Sequence, residues 1–200
     1  SLLIFWNILP LYDTAGHALR DAVFQVTSVI STSGFSTTDY NLWPPFAQTI
    51  LVLLMFVGGC SGSTAGSIKC GRILLLLRSS TRSLLRLSHP RAVRVVKLDG
   101  KVVDEETLRT VSSFFLCFFA LLGVGCLVVS LDGYSLTTSF TAALGCLSNV
   151  GPGLDLVGPM GNFGLLSGFN KVFLSLLMLI GRLEIFPILL LFLPSTWRRS

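Results

Sequence analysis

The segment Ser31-Thr-Ser-Gly-Phe-Ser-Thr-Thr38 is polar and centred on a glycine, yet it lies between two apolar parts of the chain. A second segment of this kind, Ser148-Asn-Val-Gly-Pro-Gly153, occurs later. Each follows a short run of small and apolar residues and precedes a much longer apolar run. Irregular backbone at membrane depth is tolerated only inside protein or against water. The two segments therefore indicate backbone that lines a pore.

The composition indicates an integral membrane protein. Hydrophobic residues make up 52% of the 200 residues and charged residues only 12%, and the mean hydropathy is +0.76. Soluble domains carry about twice that charged fraction. Nine of the fifteen Lys and Arg residues lie between positions 69 and 101. Because positive residues that flank spans stay in the cytoplasm, this cluster predicts a cytoplasmic segment and not a nucleic-acid site.

The apolar runs predict a mixture of full-length and half-length helices. A hydrocarbon core of about 30 Å needs about 20 helical residues. The run 2–12 is too short to cross, and we interpret it as the end of a span that begins earlier. Residues 21–30 and 135–147 predict two half-length helices, whereas residues 110–131 predict a complete span.

Two long apolar runs are interrupted. The run from Phe46 to Leu77 contains Gly58-Gly-Cys-Ser-Gly-Ser-Thr-Ala-Gly-Ser67, and the run from Leu165 to Leu193 contains Gly181-Arg-Leu-Glu184. Glycines and hydroxyls at mid-membrane cannot face lipid with unpaired backbone groups. We therefore expect the first run to form a helix that is broken in the middle of the membrane and faces a cavity there.

The chain contains an internal repeat. Gly34 and Gly151 are 117 residues apart, and around each the order is span, half-length helix, glycine segment and interrupted span. The predicted fold is an all-α integral membrane protein with two units, each made of a span, a re-entrant pore helix with a filter loop, and a second span. The predicted divisions are residues 1–77, a basic cytoplasmic connection at 78–106, and residues 107–200.

The glycine segments have the properties of a cation filter. Backbone carbonyls can replace the hydration shell of a monovalent cation, and glycine allows backbone conformations that are closed to other residues. If the basic stretch is cytoplasmic, both half-helices enter from the outside, and their C-terminal ends add partial negative charge near the midplane. The pattern therefore predicts ion conduction without covalent chemistry.

Four motifs together resemble the TrkH/KtrB family of potassium uptake proteins. They are Ser33-Gly-Phe-Ser36, the segment from Gly58 to Lys69, Asn149-Val-Gly-Pro-Gly153 and Gly181-Arg-Leu-Glu184. They occur in the family's order and cover nearly the whole chain. The family has four repeats around one pore, and this sequence resembles the third and fourth. The resemblance implies potassium uptake across a bacterial plasma (inner) membrane, with K⁺ as the transported ion and no covalently bound cofactor.

The resemblance also implies site residues and partners. The filter positions, where backbone carbonyls would hold K⁺, are Thr32, Ser33, Gly34, Phe35, Asn149, Val150, Gly151 and Pro152. The gating positions are Gly58, Gly59, Ser61, Gly62, Ser63 and Gly66 of an intramembrane loop, with Arg182 projecting into the pathway. Ser67 stands where many members have a glycine. Members work as homodimers on a ring of cytoplasmic nucleotide-binding subunits, called TrkA or KtrA, and the same partner is expected here.

Two other functions remain open from the residues alone. An intramembrane serine hydrolase could use Ser61, but it would need a base, and the chain has only His17 and His89, neither in a later span. A secondary transporter of a small solute could also use broken helices. Two acidic residues after the glycines, Asp39 and Asp155, could either concentrate cations at the mouth or cap loops.

Overall fold

The computed structural model describes residues 1–60, 62–63, 66–88, 95–98 and 101–183. The helices in these ranges are α1 (Leu2–Ile8), α2 (Ala15–Ile30), α3 (Pro45–Phe56), α4 (Cys70–Ser88), α5 (Glu105–Ser130), α6 (Leu136–Leu147) and α7 (Gly168–Arg182). Short 3-10 turns lie in the connections, at Leu9–Leu11, Tyr40–Leu42, Asp155–Val157 and Phe163–Leu165.

The described residues are mostly helical, as expected, but the prediction of an all-α chain misses a small antiparallel ribbon. Strands β1 (Lys97–Leu98) and β2 (Lys101–Val102) pair with Lys97 opposite Val102. The dipeptide Asp-Gly that separates them in the sequence is a common hairpin signal. The sequence pattern places these residues only in the basic connection, because strands of two residues leave almost no alternating pattern.

Helix α2 begins earlier than the sequence predicts. It starts at Ala15 and not at Asp21, so with 16 residues it is longer than the predicted half-length helix. Helices α2 and α6, which precede the two glycine segments, are called the half-helices below. The residues before Asp21 include polar side chains, which made them look like loop, but Ala18 is fully buried and Arg20 is exposed. The polar side chains therefore lie on the outer face of a helix whose inner face packs in the core.

Helix α4 follows the predicted break and continues through the first basic residues to Ser88. It packs on α5 through a small apolar cluster that includes Leu75, Leu108 and Val111. Arg82 donates to both carboxylate oxygens of Glu105, at 2.6 and 3.1 Å. A bidentate pair of this kind fixes orientation more than it adds stability at an exposed position. The first part of the basic stretch is thus a helix held against the start of α5.

Helix α5 agrees with the predicted complete span. Among the described residues it is the one helix that is long and apolar enough to cross a membrane by length and composition. Leu116 and Leu127 on its outer face are 74% and 69% exposed. Apolar side chains this exposed on a long helix suit contact with lipid or with further protein.

Helix α6 lies at the centre of the core. From Thr138 to Leu147 every residue except Phe140 is buried, and α6 contacts α5, α7 and α3. It lies close to α5 at Gly125, where an added Cβ atom would be 3.0 Å from the Ala143 Cβ and 2.8 Å from the Leu177 Cδ1. A small residue on α5 therefore allows α6 and α7 to pack against it, as is common between membrane helices.

We predict that Gly125→Val destabilises the protein by about 1–3 kcal/mol, because the added methyl groups force α5 away from α6 and α7. The matched control is Gly123→Val on the same helix, where an added Cβ meets no atom within 4 Å. The measurement is the melting temperature of the purified protein in detergent. Equal melting temperatures for the two variants would contradict the close packing at Gly125.

Candidate functional site

The two glycine segments adopt the same backbone conformation. Each begins directly after a half-helix, α2 or α6, and each has a non-glycine residue and then a glycine at positive φ. The φ angles are 55° at Thr32 and 74° at Gly34 in the first segment, and 56° at Asn149 and 100° at Gly151 in the second. The repeat that the sequence predicts at a distance of 117 residues is therefore present in the backbone of both turns.

The hydrogen bonds of the two turns also repeat. The N–H of Ser33 donates to the Ser28 carbonyl at 3.0 Å, and the N–H of Val150 donates to the Gly145 carbonyl at 3.0 Å. The donor and the acceptor of the second bond each lie 117 positions after those of the first. These bonds use carbonyls of the last helical turn, so each glycine segment is attached to the C-terminal end of its own half-helix.

The two segments contact each other at their backbones. A Cβ atom on Gly34 would overlap the Val150 carbonyl oxygen and lie 3.1 Å from the Pro152 Cδ. No other residue type leaves this space free. Two of the predicted filter sequences, distant in the chain, are thus brought side by side.

One predicted filter carbonyl has a protein partner. The Phe35 oxygen accepts a hydrogen bond from the Ser28 Oγ at 2.6 Å, and the Phe35 side chain is 73% exposed. This bond uses one of the two lone pairs of the oxygen. The hydroxyl of α2 therefore fixes the direction of the chain where it leaves the first glycine segment.

Each half-helix is tied to the residues that follow its glycine segment by a hydroxyl and a carboxylate. In the first repeat the Thr37 Oγ1 donates to the Asp21 Oδ1 at 3.2 Å. In the second repeat the Thr138 Oγ1 donates to the Asp155 Oδ2 at 2.7 Å. Asp21 and Thr138 are 117 residues apart and lie on equivalent turns of α2 and α6. The hydrogen bond is thus present in both repeats. In the first repeat the helix supplies the carboxylate and the following loop supplies the hydroxyl, whereas in the second repeat the helix supplies the hydroxyl and the loop supplies the carboxylate.

Asp155 lies in the loop after the second segment and has a second tie, to the Ser135 Oγ at 2.7 Å. Donation from the hydroxyls of Ser135 and Thr138 lowers the pKa of the Asp155 carboxyl below its ordinary value. A lowered pKa means that the ionised form is the one stabilised by folding, so the ties persist at neutral pH and weaken as acid protonates the carboxylate. Asp39 similarly accepts from the Asn41 N–H at 3.0 Å. The Asp39 carboxylate therefore caps its own loop, whereas the Asp155 carboxylate ties its loop to the start of α6.

The described part of the predicted gating loop lies against both glycine segments. The Gly66 N–H donates to the Thr32 Oγ1 at 3.3 Å. A Cβ atom on Gly66 would overlap the Ser148 carbonyl oxygen and lie 2.9 Å from the Asn149 Cβ. Ser61, which was also expected in this loop, lies outside the described residues. The end of the loop is thus in contact with the first residues of both segments.

Ser67, at the position where glycine was expected, has a strained backbone conformation and a hydroxyl that lies at the end of α3. Its φ is 67°, in the left-handed region, which strains a residue with a Cβ by about 1–2 kcal/mol. Its Oγ lies 2.6 Å from the carbonyl oxygens of both Met55 and Phe56. These carbonyls end α3 and have no helical partner. The hydroxyl therefore offsets the strain by satisfying the end of the broken helix.

Arg182 lies in the last turn of α7, and its side chain is exposed. Its neighbour Gly181 packs on the end of α6, where a Cβ atom would overlap the Leu147 carbonyl oxygen. The Asn149 Nδ2 donates to the Met178 carbonyl at 3.1 Å. The two gating candidates, the loop and the end of α7, therefore meet at the same turn, from which the second glycine segment starts. Glu184 lies outside the described residues.

Sequence reasoning missed the side chains that join these parts. Thr32, Asp21, Thr138 and Asn41 all make contacts that depend on the fold. The excess of Ser and Thr in and around both half-helices was the available signal, since buried hydroxyls need partners. Within the described ranges, no group of three or more His, Cys, Asp or Glu residues is placed to hold a metal ion.

The comparisons with known proteins agree with this geometry. The profile of the TrkH cation transport protein family matches residues 11–199. The Trk system potassium uptake protein TrkH of Salmonella typhimurium is 39% identical over 196 residues, which are 98% of this chain and 40% of that relative. The Trk system potassium uptake protein TrkG of Escherichia coli is 36% identical over 193 residues, 96% of this chain and 39% of that relative.

A solved structure has the same fold. The crystal structure of the potassium transporter TrkH from Vibrio parahaemolyticus superposes with a TM-score of 0.90 at 38% identity, covering 98% of this chain and 42% of that one. The chain thus spans about 40% of the length of the relatives it matches. The fold is that of a membrane transport protein.

The chain belongs to the TrkH family of cation transport proteins, which confirms the resemblance drawn from the four motifs. Its relatives are potassium uptake proteins, so it is a homologue of Trk system transporters and not an enzyme. The hydrolase alternative, which needed Ser61 as a nucleophile, is therefore rejected.

We predict that Gly34→Ala lowers ion uptake at least tenfold, because the new methyl group displaces the Val150 carbonyl. Gly16→Ala is the matched control, since a Cβ there meets no atom within 4 Å. Rubidium uptake by cells that express the complete transporter polypeptide measures the effect, normalised to the amount in the membrane. Normal uptake by Gly34→Ala would contradict the contact between the two segments.

Proposed function

We propose that this chain forms two of the four repeats around a potassium pathway in a bacterial inner membrane. The observation that carries the proposal is the contact of two equivalent turns, at Gly34 and Val150, each at the C-terminal end of a half-helix. The relatives' function in potassium uptake, and the fraction of their length that the chain spans, support it.

The proposed mechanism needs only backbone groups at the filter. Carbonyl oxygens of residues 32–35 and 149–152 replace the water around K⁺ as it enters. The C-terminal ends of α2 and α6 carry partial negative charge, which favours a cation there. The remaining quarters of the ring come from parts of the transporter outside this chain. Selection of K⁺ over Na⁺ is then a property of all four quarters, set by how firmly their carbonyls are held.

The proposed gate is the loop of residues 58–67 together with Arg182. The loop's contact with Thr32 and Ser148 supports a role directly at the end of the filter. A fixed positive charge in the pathway repels cations unless it is compensated or moved. Loop movement and displacement of Arg182 would therefore release the ion.

The organisation and partners are also proposals, supported by membership of the family. We propose that residues 1–77 and 107–200 are the two pore units and that residues 78–106 face the cytoplasm between them. Arg78 and the nearby ribbon are then accessible to a cytoplasmic nucleotide-binding subunit of the TrkA or KtrA kind. The transporter is proposed to act as a homodimer in lipid, without nucleic acid.

Expression of the complete transporter polypeptide in a bacterial strain without potassium uptake systems tests the function. We expect growth at low external K⁺ and saturable rubidium uptake, both lost in cells that carry an empty vector. Uptake of a small organic solute in place of K⁺ would instead favour the secondary-transporter alternative. No uptake of K⁺ or Rb⁺ by protein that reaches the membrane would contradict the proposal.

Removal of the proposed barrier gives a further prediction. Arg182→Ala should raise the basal potassium leak at least several-fold, because a pathway without a fixed cation presents a lower electrostatic barrier. Lys171→Ala, at the other end of α7, is the control; its Nζ donates to the Gly164 carbonyl at 2.8 Å. Conductance is measured in reconstituted bilayers. Equal leak in the parent and in Arg182→Ala would count against a barrier at this residue.

A further inference from the structure

The loops that follow the two glycine segments are joined directly by one side chain. The Asn41 Nδ2 donates to the Asp155 carbonyl at 3.1 Å, and the Asp155 N–H donates to the Asn41 Oδ1 at 2.9 Å. These residues are 114 positions apart. The side-chain amide pairs with both peptide groups of one residue, as the backbone of a neighbouring strand would. The two repeats therefore have a specific link beyond their packing.

Each side of this link is anchored in its own repeat. The backbone carbonyl of Asn41 accepts from the Gln48 Nε2 of α3 at 2.8 Å. The Asp155 carboxylate accepts from Ser135 and Thr138 at the start of α6, at 2.7 Å each. A continuous series of hydrogen bonds thus runs from α3 through Asn41 and Asp155 to α6. A change in the separation of the two loops would have to break it.

The Asn41 side chain has room to reach Asp155 because the equivalent position of the second repeat is a glycine. The residue 117 positions after Asn41 is Gly158. A Cβ atom on Gly158 would overlap the Asn41 Nδ2 and lie 2.9 Å from its Cγ. The second repeat therefore has no side chain at the position where the first repeat places its asparagine. The two loops differ in chemistry but are complementary in shape.

We propose that Asn41 is a positioning residue for ion selectivity, and that its pairing with Asp155 holds the two glycine segments at the separation that favours K⁺ over Na⁺. The inference rests on the proposed function. The link lies a few residues beyond Gly34 and Gly151, whose segments touch at Val150. Selectivity depends on the size or the stiffness of the carbonyl cage, and a link between two quarters of the cage constrains both.

The test is the K⁺/Na⁺ permeability ratio of the complete transporter in reconstituted bilayers. Asn41→Ala removes both hydrogen bonds, and we expect the ratio to fall about tenfold, equivalent to about 1.4 kcal/mol. Gly158→Ala leaves Asn41 in place but displaces its amide, so the ratio should fall in the same direction. Asn162→Ala is the control, because the Asn162 Oδ1 accepts from its own loop, at the Gly164 N–H. Its ratio should equal that of the parent.

A covalent link provides a rescue that a purely structural defect would not allow. Gly158 has a φ of −68° and an extended ψ, which any residue can adopt. Cysteines at 41 and 158 are close enough to form a disulfide. In the variant with both Asn41→Cys and Gly158→Cys we expect oxidation to raise the ratio towards the parent value and dithiothreitol to lower it again. Each single cysteine variant should show a low ratio that does not respond to oxidation.

The outcomes separate this inference from the proposed function. If the parent carries no K⁺, the proposed function fails. If the parent is selective and both Asn41→Ala and Gly158→Ala keep its ratio, the inference is overturned. Should Asn41→Ala fail to reach the membrane, Gly158→Ala and the oxidised cysteine pair decide by the same criteria.

Discussion

The close approach of the Gly34 backbone to the Val150 carbonyl is the constraint on which the rest of the structure depends. It brings two segments without regular secondary structure together inside an apolar protein. Backbone groups at membrane depth have no water to bind, so each needs a partner within the protein or an ion. The half-helices supply these partners from their own hydroxyls. Ser28 binds the Phe35 carbonyl, and the Thr141 Oγ1 accepts from the Leu154 N–H at 3.0 Å.

The same constraint explains the break between α3 and α4. At its base the chain is held by bonds between the Gly58 N–H and the Ile68 carbonyl at 3.0 Å and from the Ser67 hydroxyl to the end of α3. Beside this base the Gly66 N–H donates to the Thr32 Oγ1 at 3.3 Å, and the Gly66 backbone packs on the Ser148 carbonyl. The break is therefore anchored both to the end of α3 and to the first residues of the two glycine segments.

Much of this architecture could be predicted from the sequence, because hydropathy and glycine placement report on membrane insertion and on backbone conformation. The half-length of α6, the break after Phe56 and the equivalence of Gly34 and Gly151 were all visible in this way. The contacts between particular side chains could not be predicted in this way. The start of α2 was obscured by polar residues on an exposed helix face, and the bond from Thr138 to Asp155 depends on where the chain returns after the second glycine segment. Hydropathy contains no information about which hydroxyl meets which carboxylate.

The differences between the two repeats follow from what each position must do. Asp21 with Thr37 and Thr138 with Asp155 are interchangeable solutions, since a tie within one repeat requires a donor and an acceptor but not a fixed order. Asn41 and Gly158 are not interchangeable in this sense. Two asparagines at equivalent positions would compete for one space, and two glycines would leave the Asp155 peptide groups without this partner. A link between repeats therefore requires that the sequence symmetry be broken at that position, whereas the shared backbone conformation of the glycine segments requires that the symmetry be kept.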